Sequence, residues 1–160
     1  MKKVLFVILI IIVLVLCANF KNIKTFTLKK IYRIEYSEYV EKYSNKYKVD
    51  KYLVYATIKA ESNFDKYAKS SQGAIGLMQL LYATAEEIAP KAEVDVTNDN
   101  IGLALAAYNA GTGNVDSWIN KGLLKKDGSD LENIPFKETN GYVRKILRDY
   151  EIYIELYKKQ

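Results

Sequence analysis

The chain has 160 residues, 49% of them apolar, with a net charge of +5 and a pI of about 9.0. It has no histidine and a single cysteine, Cys17, which excludes a disulfide framework, a zinc cluster and a Cys–His nucleophile and removes the commonest general base. Acid–base chemistry must come from Asp, Glu, Tyr or Lys, and the basic surface suits an anionic polymer (nucleic acid, lipid headgroups or a wall polymer) or serves solubility alone.

The N-terminus carries Lys2 and Lys3, then an unbroken apolar run from Val4 to Ala18. This is the charged and apolar order of an export signal. There is no small-x-small cleavage site, and bulky Leu16 precedes Cys17 where a lipidated signal carries a small residue. Residues 1–20 are therefore read as an uncleaved signal anchor, with the N-terminus inside and the rest outside the cytoplasm. A cleaved or lipidated form is the alternative. Residues 21–34 are basic and read as a juxtamembrane linker suited to anionic lipid. Residues 35–160 form one domain, large enough to bury about two thirds of its unfolded surface.

That domain reads as mainly α, with no strand pattern. Tyr36, Tyr39, Tyr43 and Tyr47 recur at helical spacing and predict a packed tyrosine face. Asp50 predicts an N-cap for a helix carrying Leu53, Val54, Thr57, Ile58 and Ala60 and ending near Ser62 and Asn63. A loop follows, punctuated by Gly73 and Gly76. "LMQLLYATAEEIA" returns to helix, starting near Thr84, and "KAEVDVTNDN" is polar and turn-like. "IGLALAAYNA" predicts a helix buried on most sides, stopped by Gly111. "NVDSWIN" is a further short helix, and the loop of about 15 residues after it is long enough to form a functional rim. Thr139 predicts the cap of a last amphipathic helix, with Tyr142, Val143, Ile146, Leu147 and Tyr150 on one side.

Glu61 raises the chemical question. Positions 53, 57, 60 and 61 share one helix face, so the carboxyl stands beside a largely apolar wall. Desolvation there favours the neutral acid, and a carboxyl held protonated can donate to a leaving-group oxygen, as glycosidic cleavage requires. The competing reading is a helix-end glutamate in water or paired with lysine. Gln79 offers an amide donor and acceptor just beyond the glycine-rich loop. Tyr108 and Asn109, at the end of an apolar helix, either satisfy each other and the backbone or line a cleft.

Taken in order, "ESNFDKYAKSSQGAIGLMQL", "ALAAYNAGTGNV" and "IPFKETNGYVRKIL" resemble the successive motifs of the soluble lytic transglycosylase (SLT) catalytic domain, a lysozyme-like fold of the goose type. The resemblance covers most of residues 36–157. It implies that Glu61 is a single catalytic acid and then base. That residue would protonate the oxygen between N-acetylmuramic acid and N-acetylglucosamine and then deprotonate the muramoyl C6 hydroxyl, closing a 1,6-anhydro ring. It further implies that Ser70 contacts the catalytic or N-acetyl region, that Gln79, Tyr108 and Asn109 line the saccharide cleft, and that Tyr142 orients Glu61. Peptidoglycan strands are the implied partner, with the membrane reached through residues 1–20. No metal or cofactor is implied. Nucleic acid is disfavoured, because no basic cluster interleaved with aromatics lies outside the linker.

Two departures from the motif order stand out. Leu81 and Tyr82 replace a Met-Pro pair, and the stretch between about 88 and 100 is shorter than the family pattern by about 25 residues, several helical turns. The shortening keeps a second reading open: a non-catalytic peptidoglycan-binding or scaffold module. A hydrolase of the goose-lysozyme type is a third.

Overall fold

The computed structural model describes residues 2–81 and 101–158. Among them the regular structure is helical: α1 (Lys2–Ile31), α2 (Ser37–Tyr47), α3 (Lys51–Glu61), α4 (Ile101–Ala110), α5 (Thr112–Asn120) and α6 (Lys137–Tyr157), with a 3-10 turn at Leu131–Asn133. Isolated bridges join Lys69 to Ile75 and Ile75 to Leu80. The mainly α expectation is borne out. The predicted helix from Leu77 is not found as far as Leu81, where the backbone is turn and bridge. Gln79 has a φ of 47° there, which an α-helix cannot contain. The expected start near Thr84, the polar turn and the shortening between about 88 and 100 lie outside the described residues.

α1 is one helix of 30 residues with no buried residue, about 45 Å long at 1.5 Å per residue. It is long and apolar enough to cross a membrane. The helix does not stop at residue 20. It continues through most of the basic segment, and its end joins the core. Leu28 packs against the core, and Tyr32 is buried within it. The Tyr32 hydroxyl donates to Asp149 Oδ1 at 3.2 Å, Tyr153 donates to the Arg33 carbonyl at 2.9 Å and Tyr157 to the Tyr32 carbonyl at 2.8 Å.

Asp149 is fully buried. Besides Tyr32 it accepts from Lys59 Nζ at 2.9 Å and from the Arg148 guanidinium at 2.8 and 3.0 Å. Burial pushes its carboxyl up, but the Lys59 and Arg148 bonds and charges outweigh that and hold it below the ordinary value. A buried carboxylate is tolerated only when its lone pairs are filled, and here α3, α6 and Tyr32, just after α1, fill them together.

The tyrosine face of α2 is a correction. Val40 and Ser44 are the buried residues, whereas Tyr39, Tyr43 and Tyr47 are 63%, 48% and 38% exposed. Rows 39/43/47 and 40/44 share the same four-residue period and differ by a rotation of about 100°. The row that fits closely against α3 is the smaller one. Tyr43 and Tyr47 stack on each other at 6.4 Å, and Tyr36 alone turns inward, its hydroxyl reaching the Phe64 carbonyl.

Asp50 caps α3 as expected, accepting from the Tyr52 amide at 2.8 Å. α3 buries Tyr52, Tyr55, Ala56, Thr57 and Ile58 against α6, whose Val143, Ile146, Tyr153 and Leu156 recur at helical spacing. α4 packs on α6 and α5. Its buried residues are Gly102, Leu103, Leu105 and Ala106, Ile101, Ala107 and Ala110 also pack against the core, and Ala104, Tyr108 and Asn109 are exposed. Gly102 leaves no room for a Cβ because Leu131 lies directly on its backbone. Gly111, at φ 88°, turns α4 into α5, and Trp118 of α5 meets Phe136 edge-on at 4.9 Å. The expected rim loop is anchored by buried Leu124, Asp130 and Ile134.

Thr139 is not a cap. α6 begins at Lys137 with Phe136 at the cap position and no side-chain cap bond. Thr139 sits inside the helix, and its hydroxyl turns toward α4.

The buried Tyr32, just after α1, sets a boundary that thermal melts can locate. A chain starting at residue 21 is expected to melt cooperatively, and one starting at residue 35, which lacks Leu28 and Tyr32, at a clearly lower temperature. Tyr32→Phe is expected to cost about 1 kcal/mol, as loss of one buried hydrogen bond does, measured by circular dichroism.

Candidate active site

Glu61 is the last residue of α3. The chain leaves the helix through Asn63 and Phe64, both at positive φ (50° and 67°). Two successive non-glycine residues in this region are strained. The turn is held by Phe64, which is buried with its ring 6.4 Å from that of Tyr55. The turn ends α3 with Glu61 half-buried and directs the chain into the 65–80 loop.

Tyr142 stands on α6 opposite. Its hydroxyl donates to Glu61 Oε1 at 2.6 Å. Burial pushes the Glu61 carboxyl above its ordinary value of 4.5, while the Tyr142 bond and then the Lys145 ammonium pull it partly back. Lys145, one turn beyond Tyr142, is itself held by the Ala60 carbonyl at 3.4 Å. Burial and then the Glu61 bond push the Tyr142 phenol far up. Burial and the Glu61 charge do the same to Tyr108. Both phenols are thus neutral donors beside a carboxyl that resists ionisation.

The glycine-rich loop is fastened to these residues by its backbone. Ser62 donates to the Leu77 carbonyl at 2.9 Å, and Tyr108 donates to the Met78 carbonyl at 2.7 Å. Within the loop, Ser70 Oγ accepts from the amides of Gln72 and Ala74 at 3.3 and 3.0 Å. Gln79 Nε2 donates to the carbonyls of Ala68 and Gly76 at 3.1 and 3.0 Å. On α4, Asn109 Oδ1 accepts from Thr139 at 2.7 Å.

The predicted site residues fall into two groups. Glu61, Tyr142 and Tyr108 come together as one electrostatic cluster, with Asn109 beside Tyr108. Ser70 and Gln79 shape the loop, and neither bonds to Glu61; Gln79 keeps only its amide oxygen free of the loop backbone. Sequence reasoning missed Ser62, Thr139 and Lys145. The signal for the last two was spacing, since both lie three residues from Tyr142 on α6. Ser62 carries no comparable signal, because its partner is backbone 15 residues away.

Residues 38–100 match the transglycosylase SLT domain family. The soluble lytic murein transglycosylase of Escherichia coli K12 is 29% identical over 154 residues, covering 79% of this chain and 24% of that protein. A putative soluble lytic murein transglycosylase of Haemophilus influenzae is 31% identical over 150 residues, covering 76% and 25%. The chain thus spans about a quarter of the length of these curated relatives. Among solved structures, an inactive glutamate-to-glutamine variant of the lytic transglycosylase Slt from Pseudomonas aeruginosa aligns with a TM-score of 0.65 at 25% identity, over 78% of this chain and 24% of that one. The 70 kDa soluble lytic transglycosylase of Escherichia coli aligns with a TM-score of 0.67 at 23% identity, over 80% and 25%. The helical fold is shared with both.

A raised carboxyl pKa carries a stability consequence. The folded state binds the Glu61 proton more tightly than the unfolded chain, so stability falls as pH rises from 4.5 through the folded value. An amide does not titrate. Glu61→Gln is therefore expected to melt at a higher temperature than the parent at pH 7, with the difference closing below about pH 4.5. Melts across that range check it.

Proposed function

This chain carries a transglycosylase SLT domain, and we propose that it is a peptidoglycan lytic transglycosylase with Glu61 as its single acid and base. One observation carries the reading: a half-buried carboxyl, Glu61, which lies in the segment matched to that family, is raised by burial and bonded at 2.6 Å to the neutral Tyr142. The relatives' activity on murein, named for them, supplies the substrate class.

In the first step the Glu61 proton moves to the glycosidic oxygen as the C1–O bond breaks, leaving N-acetylglucosamine as the departing alcohol and positive charge at the muramoyl C1. The carboxylate so formed is stabilised by the Tyr142 hydroxyl and the nearby Lys145 charge. In the second step it takes the proton of the muramoyl C6 hydroxyl while O6 bonds to C1. The 1,6-anhydro ring closes, Glu61 regains its proton and no water is consumed. One carboxyl suffices for such a cycle, in contrast to the paired carboxylates of hydrolysis. Tyr108 and Ser62 keep the 76–80 backbone against the site. α1 serves as a signal anchor that holds the domain outside the cytoplasm at the membrane, where it meets peptidoglycan.

The test is incubation of the full chain with purified sacculi, followed by mass spectrometry. Anhydro-muropeptides are the expected product. Reducing-end products would identify a hydrolase, and binding without products a non-catalytic module. Glu61→Gln is expected to lower turnover at least about a hundredfold, the worth of a general acid, with binding to sacculi retained. Tyr142→Phe is expected to slow the reaction less, by about tenfold for one lost hydrogen bond. The rate of the parent falls as pH rises through the Glu61 pKa, since the first step needs the protonated acid. Losing the Tyr142 bond, which lowers that pKa, moves this limb to higher pH in a pH–rate profile.

A further inference from the structure

We infer that Arg33 is a positioning residue for Glu61: it pins the strained turn that ends α3, and through that turn it sets where the acid stands against Tyr142. The inference rests on the glycan-cleaving reading above.

Two residues after Glu61 the backbone enters the left-handed region at Asn63 and stays there at Phe64, with φ of 50° and 67°. Residues with a Cβ leave that region unless their surroundings hold them. Within the turn, the Asn63 amide donates to the Lys59 carbonyl and the Asp65 amide to that of Ser62. Among the described residues, no backbone amide reaches the carbonyls of Asn63 and Phe64. Side chains from the segment between α1 and α2 take both. The Arg33 guanidinium donates through Nη2 to the Asn63 carbonyl, and the Tyr36 hydroxyl reaches the Phe64 carbonyl at 3.4 Å.

Arg33 is the stronger of the two ties. Its bond is charge-assisted, whereas 3.4 Å is long for a hydroxyl. The guanidinium also lies over the Phe64 ring, its carbon 5.5 Å from the centroid, so it grips the turn by backbone and by ring. Arg33 is itself held. Its carbonyl accepts from Tyr153 of α6 at 2.9 Å, and its Nε pairs with Glu35 at 2.9 Å. The turn is thereby tied to α6, the helix that carries Tyr142.

The effect on Glu61 is mechanical. Burial, the Tyr142 bond and the Lys145 charge shift its carboxyl, and the Arg33 charge is not among them. Releasing the turn lets residues 63 and 64 relax toward negative φ, and Glu61, the last residue of α3, moves with them relative to Tyr142. Arg33 precedes residues 38–100, the segment matched to the SLT family. The segment leaving α1 is thus part of the scaffold of the site and not only a spacer.

The alternative is a surface tie that adds stability and nothing else. Turnover separates the two. Initial rates are measured with the full chain in detergent on a GlcNAc–MurNAc tetrasaccharide, with products followed by mass spectrometry and each variant assayed well below its melting temperature. Arg33→Met keeps an unbranched stem and removes the donors. It is expected to lower kcat about tenfold, the worth of a hydrogen bond to a charged group. KM is expected to stay within about twofold of the parent, because Arg33 acts through Glu61. Arg33→Lys keeps the charge and a donor but not the planar fork, and is expected to lose only about threefold. In Tyr142→Phe, where the bond being aligned is gone, Arg33→Met is expected to cost about twofold or less. A parent-like kcat for Arg33→Met, a loss that falls on KM, or the same loss with and without the Tyr142 hydroxyl would overturn the inference, as would a lysine no better than methionine. Should Arg33→Met not fold, Arg33→Lys carries the same comparison. Its loss is then expected to vanish in Tyr142→Phe, and an equal loss in both backgrounds, or none in either, overturns the inference. A parent that releases no product from the tetrasaccharide removes the glycan-cleaving reading and this inference with it. An active parent whose Arg33 and Tyr142 variants act independently removes the inference alone.

Discussion

The hydrogen bond from Tyr142 to Glu61 joins a carboxyl whose pKa is raised by burial to a neutral phenol whose own pKa is pushed far up. The bond is possible because α3 and α6 pack side by side and because α3 stops at residue 61. Had the helix run another turn, Glu61 would be flanked by helix on both sides and less open to a substrate. The strained turn at Asn63 and Phe64 is what stops it, and the buried Phe64 ring holds that strain in place.

The same two helices carry a second polar tie at some distance from the first. Asp149, Lys59 and Tyr32 bind α6, α3 and the end of α1 in one buried network. Lys59 is two residues from Glu61, so the helix that presents the acid is fixed by a fully satisfied charge on the way to its end. Such a network is costly if one partner is removed, and it therefore favours a single arrangement of the three helices. It also fastens the chain that leaves α1 to the core at Tyr32.

Much of this was legible in the sequence, and the failures have specific causes. The Asp50 cap, the end of α3, the Gly111 break and the inward row of α6 were readable because each is a local pattern with a local physical cause. Glu61 and Tyr142 were readable through the motifs that carry them, though 81 residues separate them. The tyrosine row of α2 misled because periodicity gives the spacing of a face and not its direction. Thr139 misled because a threonine near a helix start has two uses for its hydroxyl, and its true partner lies 30 residues away. The basic composition of residues 21–34 hid Tyr32, whose partner Asp149 is 117 residues distant. Gln79 shows a further limit. Its amide suits a sugar, but the loop backbone takes its donors first.

The central claim is that burial, moderated by Tyr142 and Lys145, raises the Glu61 carboxyl above its ordinary value. Carbon-13 NMR of the labelled side-chain carboxyl, followed through a pH titration of the folded chain, reads this directly. The expected result is a midpoint above 4.5 that rises further in Tyr142→Phe. A midpoint at or below 4.5, or one indifferent to Tyr142, would contradict it.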